Sequence, residues 1–550
     1  MAKDMKLKIQ ETIDCDVLVI GGGGAGLRAA VEAKMNRADV LLVTKSRLGR
    51  PSNTWISKSI IAASGWGAAN DNKGIHVEDT VKGGRFLNDR EKVEMIADRI
   101  VPEIDFLKES GVHFQMQGDR PGLLKISGHS HARHVHGQNW TGADLVSPLL
   151  KLAGQKGVRF KDNVFITRLL ASDGRIIGAL GFGPDGDFYV IRAKSIVLAT
   201  GGYAQIFLNT NNASGITGDG LALAYELGVA QRDMEFVQFF PTAMGRRGNR
   251  ILVYERLLAQ EGVFLRNRQG QDIIQKNGFS EATKLTRDDL AQLIMKEIKD
   301  DPEGKQQILI DLELLTEKAA NELGQLLPPA WWEGQYYFEV APTAHFCMGG
   351  ISTDQWGQTS QKGLFAVGEA TGGAHGANRL GGNALAEIFS MGSLVGARAA
   401  GHARTVGPDS FAKGDIDREV DRLEALFTDK GLPPQELIHE LKTLMWDKAG
   451  IIRSKSQLEE ALKRLRESWP EAQIKTPKDL RRLLEFDNMR LISEMVCLAG
   501  LERTETRGSH YRIDCPEEDN TNWLKNIYLR KTGSGMEMET RDACFYNSLK

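Results

Sequence analysis

A glycine turn wedged between an apolar strand and an alanine-rich helix constrains this chain more than any other feature. Residues 15–20 (CDVLVI) are a β-branched run of buried-strand type. Glycines follow at 21–24 and 26, then LRAAVEAKMNRA (27–38) reads as a helix, and a second strand comes at Val40–Val43. Gly21, Gly23 and Gly26 therefore stand at GxGxxG spacing, flanked by the elements that give the motif meaning. The first glycine permits the tight turn and the second lets a pyrophosphate approach the backbone. The third lets helix and strand pack closely, with the helix N-terminus facing the phosphate charge. One feature of an NAD site is missing. An acid about 20 residues on should hold the ribose, but the second strand ends in Thr44-Lys45, and Asp39 lies at its wrong end.

The other glycines suit a flavin dinucleotide better. The chain has 59 in 550 residues, above the usual share of about 7%, with only 16 prolines. They concentrate in the loops 21–26, 65–84, 199–202, 215–220 and 368–382. Residues 46–85 read as loops and short helices wrapped round a ligand, with Ser52 and Gly65 as contacts. ATGG (199–202) ends a strand and offers Thr200 and Gly201. TGDG (217–220) opens a helix and offers Asp219 as an acceptor. GLFAVGEATGGAHGANRLGGNALAE (363–387) has a strand, the acid Glu369 and a glycine loop carrying Asn378 and Arg379. It ends in a helix starting near Ala384 and Leu385 that can aim its N-terminus at the flavin ring. Gly24, Ala25, Thr44 and Lys45 complete the expected cofactor contacts.

Composition excludes other classes. Lys plus Arg is 70 and Asp plus Glu is 72, which argues against nucleic acid or an anionic membrane surface as the main partner. The five cysteines, Cys15, Cys347, Cys497, Cys515 and Cys544, show no CxxC pair. A disulfide framework, a clustered Fe–S site and a structural zinc site are thus disfavoured, and a reduced, cytoplasmic setting is expected. No apolar segment precedes Asp16, so no signal peptide is expected, and no apolar run reaches the roughly 20 residues of a membrane span. Any membrane association would come through partners. His129, His131, His134 and His136 share one loop, but no carboxylate partner is near, so no metal site is expected. Trp331-Trp332 and Tyr336-Tyr337 read as packing residues.

The chain changes character along its length. Residues 230–340 interleave strand-like pieces (ILVYE, GVFLR) with charged helices such as 286–299, as an inserted domain would. Residues 405–500 are charged, helix-periodic and poor in glycine, as in a helical bundle. A polar stretch of weak periodicity follows.

Together these segments resemble the flavoprotein-subunit family of succinate dehydrogenase and fumarate reductase, which includes L-aspartate oxidase and the adenylylsulfate reductase alpha subunit. The resemblance runs from about residue 14 to about residue 525. It rests on VIGGGGAGLRAA, EFVQFFPT (235–242), LTRDDL (285–290), PTAHFCMGGI (342–351), GEATGGAHGANRLGGNAL (368–385) and TRGSHYRID (506–514). It implies an α/β fold: a Rossmann-like FAD-binding domain in two parts (1–235 and 340–404), an inserted capping domain (236–339), a C-terminal helical domain (405–500) and a tail (501–550). It also implies hydride transfer between flavin N5 and a substrate carbon while a proton moves at the neighbouring carbon. Arg287 resembles the residue that shuttles the proton, and His345 and Arg379 resemble the pair that holds the substrate carboxylate. The residue chemistry agrees in part: a guanidinium gives a carboxylate two parallel hydrogen bonds. An iron–sulfur subunit is the natural electron partner, because this chain has no cysteine cluster of its own.

The substrate pocket departs from the family pattern. Its succinate and fumarate enzymes usually have histidine where this chain has Phe240. In the segment Tyr254-Glu255-Arg256-Leu257-Leu258 they have threonine, then glutamate, then arginine three residues further. Glu255 matches and is the expected catalytic carboxylate; Tyr254 and Leu258 do not match. One charged hydrogen bond is worth roughly 1.5–3 kcal/mol, so a substrate with a bulkier or less charged far end than succinate is expected, unless Arg256 swings in. The loop 46–59 has no histidine for covalent attachment, so FAD is expected to be non-covalent. Adenylylsulfate reductase-like chemistry, an L-aspartate oxidase-like enzyme and a non-catalytic flavin electron relay remain open alternatives.

Overall fold

In the computed structural model, the apolar run at 15–20 is the inner half of a longer strand, Lys8–Ile20, whose outer half is mostly exposed. The structure describes residues 6–543 except 68, 69, 245–250, 254, 259, 283, 284, 301–306, 325, 326, 328, 408 and 410; the side chains of residues 255, 256, 322 and 329 also lie outside the description. Lys8–Ile20 pairs in parallel with Val40–Val43 on one side and Asp187–Leu198 on the other. Arg159–Lys161 extends the sheet beyond Val40–Val43, and Leu364–Ala366 adds in parallel to the end of Asp187–Leu198. The segments 188–192 and 195–203 read as separate apolar runs, yet one strand, Asp187–Leu198, carries the first and the start of the second. Its first half pairs antiparallel with Arg175–Phe182, and its second half lies in the parallel part.

Alternation feeds these strands into two cores. Val17, Val19, Val40, Leu42 and Val197 point to one face, packing with the helices Gly24–Met35 and Asn383–Thr405. Leu18, Ile20, Leu41, Val43 and Ile196 point to the other, in a core shared with the helical region. Strands buried on both faces read as continuous apolar runs, as these do. The helical region comprises Lys413–Glu424, Pro434–Ala449, Lys455–Arg466 and Pro477–Glu502.

Between the two parts of the parallel sheet's domain, Val237–Met244, Tyr337–Cys347, Ile308–Asp311 and Phe264–Arg266 form an antiparallel sheet in that order. It has its own core around Leu257, Leu265, Ile294 and Ile310. Residues 251–253 of ILVYE are not a strand: Leu252 makes one bridge to Ala243, and a short helix, Glu255–Leu258, begins at 255. Trp332, Tyr336 and Tyr337 lie on the surface, 58%, 40% and 45% exposed, rather than in the packing expected of them.

The polar stretch after 501 is more ordered than its sequence pattern suggests. Lys525–Thr532 and Gly535–Asp542 form a hairpin that joins Gln231–Arg232 and Gly350–Ile351 in one sheet. Leading into it, Arg503, Arg507 and Arg512 are fully or almost fully buried. They are paired with Glu235, Glu505 and Asp514. Cys15, Cys347, Cys497 and Cys515 are free thiols, and Cys544 lies outside the described residues. Among the described residues no helix is long and apolar enough to cross a membrane.

Candidate active site

The parallel strands end together, and a cavity of about 760 Å³ lies at that edge, where ligands of doubly wound sheets sit. Gly21 turns the chain there with φ +115°, and a Cβ would lie 2.2 Å from the Ala199 carbonyl oxygen. At Gly26 a Cβ would come within 1.9 Å of the Gly21 carbonyl oxygen, so this glycine serves helix–strand packing and does not line the cavity. Gly23 differs. Its Cβ would meet nothing nearer than Ser52 Cβ at 3.7 Å, and it faces the cavity. The protein itself does not exclude a side chain at Gly23, which fits a position kept bare for a ligand.

Gly24, Ala25, Thr44, Lys45, Ser52, Thr200, Gly201, Asp219, Glu369, Ala384 and Leu385 line the same cavity. Gly65 and Asn378 do not: Gly65 has open space around it, and Asn378 Oδ1 accepts from Gln238 Nε2 at 2.7 Å. Thr200 Oγ1 is buried with no hydrogen-bond partner among the described residues. A buried hydroxyl left unpaired at a cavity wall is one that a ligand would satisfy. Other polar groups are already engaged by protein. Glu369 accepts from Asn53 Nδ2 at 2.9 Å and from the Cys347 amide at 3.1 Å, and burial raises its pKa. Lys45 Nζ pairs with Asp219 at 2.5 Å and with Glu485 at 2.9 Å. Burial pushes the Glu485 pKa up, but Lys45, Arg481 and Arg482 outweigh it and hold the carboxyl at about 2. The lysine that stands where an NAD site has an acid thus ties the sheet to helix Pro477–Glu502.

Arg287, His345 and Arg379 converge on this cavity. Arg287 is the first residue of helix Arg287–Lys299, which Thr286 and Asp289 close with a reciprocal capping box. Its guanidinium carbon lies 5.0 Å from the centre of the Phe240 ring, and that ring is 5.5 Å from the ring of His345. A Cβ on Gly381 would lie 3.7 Å from Arg287 Nη2 and 2.8 Å from Ile126. This brings Arg287 against the loop that carries Arg379. His345 Nδ1 faces Asn211 Oδ1 at 3.2 Å. Burial, then the charges of Arg379 and Arg287, hold its pKa well below the usual imidazole value, so the ring is neutral. Glu255 sits in helix Glu255–Leu258, and its side chain lies outside the described residues. Tyr254 and the Arg256 side chain do as well. Leu252, Leu258, Leu285 and Leu290 complete an apolar wall.

Two features go beyond the expectations from the sequence. Gln238 grips Arg379: its amide nitrogen donates to the Arg379 carbonyl at 2.9 Å, and its oxygen accepts from Arg379 Nη2 at 3.0 Å. Gln238 lies in the segment EFVQFFPT, but that segment alone does not name its partner. The histidine loop also serves this region. His129 and His134 are buried, and each brings Nε2 to the Gly381 carbonyl, at 2.9 and 3.0 Å. His136 stacks on Trp140, and His131 Nδ1 meets Ser130 Oγ.

The sequence matches the FAD binding domain family over residues 16–385 and the fumarate reductase flavoprotein C-terminal family over residues 438–548. The chain belongs to the fumarate reductase family of flavoproteins. FAD is accordingly its cofactor, and it is an oxidoreductase. The flavoprotein is 34% identical to one of the subunits of the CoM/CoB fumarate reductase of Methanothermobacter marburgensis, over 95% of this chain and 98% of that one. It is 30% identical to L-aspartate oxidase of Streptomyces coelicolor, over 94% and 92% of the two chains. Its fold superimposes on the flavoprotein of E. coli quinol fumarate reductase with a TM-score of 0.86, at 29% identity and 97% coverage of both chains.

Proposed function

We propose that this flavoprotein is the flavin-bearing subunit of a reductase or dehydrogenase acting on a carbon–carbon bond next to a carboxylate, and that it exchanges electrons with a separate iron–sulfur protein. The observation that carries the reading is the convergence of Arg287, His345 and Arg379 on the cavity whose other wall is the bare glycine turn. Bound FAD supplies a hydride donor or acceptor at N5. Arg379, whose planar guanidinium can present two N–H groups side by side, takes the substrate carboxylate, and neutral His345 gives it a further polar contact. Pulling charge toward that anion polarises the adjoining bond. Arg287 moves the proton at the neighbouring carbon, and Glu255 has a catalytic role by resemblance alone. The leucine wall and Phe240 exclude water. Electrons need an outside carrier because no two cysteines stand at CxxC spacing. Residues 46–59 hold no histidine, which supports non-covalent FAD. The working location is the cytoplasm, with any membrane contact made through partners.

Arg287→Ala tests the reading. Flavin content should stay at the wild-type level while kcat falls by about 10²–10⁴, the usual worth of a general acid. Unchanged electron transfer in Arg287→Ala would leave only a flavin relay. Copurification of a cysteine-rich protein supports the iron–sulfur partner; full turnover with oxygen by the isolated chain refutes it. Flavin that stays with acid-precipitated protein refutes non-covalent binding.

A further inference from the structure

Around Arg287 and His345 the described wall of the cavity is largely hydrocarbon. Phe240 is 1% exposed and lies against both Arg287 and His345. Its ring offers a second carboxylate neither a donor nor a positive charge. Leu252, Leu258, Leu285 and Leu290 line the same cavity, and Ile126 closes it beside Gly381. Leu258 and Leu290 also belong to the capping domain's own core, which fixes the wall in place. On the other side, Gln238 holds Arg379 from two directions. Among the described residues, an anion brought against the leucines would lose its water without gaining a partner. An apolar group there would be favoured by its burial.

We propose that the substrate is a 2-enoate with one carboxylate and an apolar, preferably aromatic, substituent at C3. The assignment rests on the hydride reading above and names the substrate class of that site. The carboxylate lies between Arg379 and His345, and the substituent packs on Phe240 and the leucines. The reaction turns the C2=C3 double bond into a single bond. One of these carbons receives the hydride of the reduced flavin, the other receives a proton through Arg287, and the flavin is left oxidised.

The test uses the FAD-loaded enzyme, with flavin absorbance as the binding readout. It is titrated with 3-phenylpropanoate, (E)-3-phenylpropenoate, succinate and fumarate. The aryl acids should bind at least about tenfold tighter than the dicarboxylates, in line with the discrimination an apolar pocket gives. Phe240→His and, separately, Leu258→Arg should narrow or reverse that ratio. Tighter binding of succinate and fumarate by the unaltered enzyme overturns the proposal. Stopped-flow reoxidation of the dithionite-reduced enzyme separates the two levels. Reoxidation by fumarate and not by the aryl enoate overturns the substrate class and keeps the hydride reading. Reoxidation by no acid overturns both.

Discussion

Gln238 and Arg379 hold each other at both ends. The arginine side chain donates to the glutamine oxygen at 3.0 Å, while the glutamine nitrogen donates to the arginine carbonyl at 2.9 Å. A long, flexible cation is thereby fixed in one orientation before any substrate arrives, and the energy of ordering it is not charged to binding.

Gln238→Leu keeps the volume and removes both contacts. A hydrogen bond to a charged group is worth about 1.5–3 kcal/mol, so kcat/KM should fall about ten- to a hundredfold. FAD content should not change. Steady-state kinetics with flavin quantified on the same preparation decides it; loss of the flavin would mean that the cofactor site had collapsed instead.

His345 should be silent in pH profiles. Burial and the two flanking arginines hold its pKa well below 6.5, so it carries no proton to lose across the neutral range. Carboxylate binding measured from about pH 5.5 to 8 should show no step that His345→Gln removes.

Asp288 should instead be visible in stability. Burial, then Asp289, against Arg287 and Arg85, push its pKa from 3.8 to about 7. The folded chain thus holds this proton more tightly than the unfolded chain. The Asp288 contribution to stability is full below the unfolded value and declines as pH rises through that window. Thermal melts from about pH 4 to 8 should show a decline in Tm that Asp288→Asn flattens.

Gly21 and Gly23 should separate folding from cofactor binding. Alanine at Gly21 collides with backbone at 2.2 Å and takes a left-handed φ, so Gly21→Ala should lower the Tm of the flavin-free protein. Alanine at Gly23 meets only ordinary contacts at 3.7 Å. Gly23→Ala should melt like the wild-type apoprotein and bind FAD more weakly, by fluorescence titration.

Glu485 should stabilise the protein only above its folded pKa. Held at about 2 against an ordinary 4.5, its contribution is present above pH 4.5 and is lost as pH falls toward 2. Removing one side of a buried ion group costs about 3–5 kcal/mol, so Glu485→Gln should unfold at lower urea at pH 7 and approach wild type in acid.

The sequence was most legible where chemistry and neighbours in the chain coincide. The strand–glycine–helix unit could be read because Ile20, Gly21 and Gly24 follow one another, and the same holds for Thr286 capping helix Arg287–Lys299. Arg287, His345 and Arg379 came from resemblance, since nothing local links three positions spread over some ninety residues. The end of the chain could not be read. Gln231–Arg232 and Gly350–Ile351 are two-residue strands with no period to detect, and the partner that orders them is almost 300 residues from the first. Lys45 lines the cavity, and its partner Glu485 is invisible to any local pattern.

The closing hairpin has a consequence for biosynthesis. Gln231–Arg232 leave the ribosome long before Lys525–Thr532, the strand they pair with. At about 5–20 residues per second, that edge waits roughly 15 to 60 s for its partner. During that interval the nascent chain carries every glycine of the nucleotide turn and an unsealed sheet edge. A chaperone or an early-loaded flavin would find its widest opportunity then, and a stop codon before residue 525 would leave the edge bare for good.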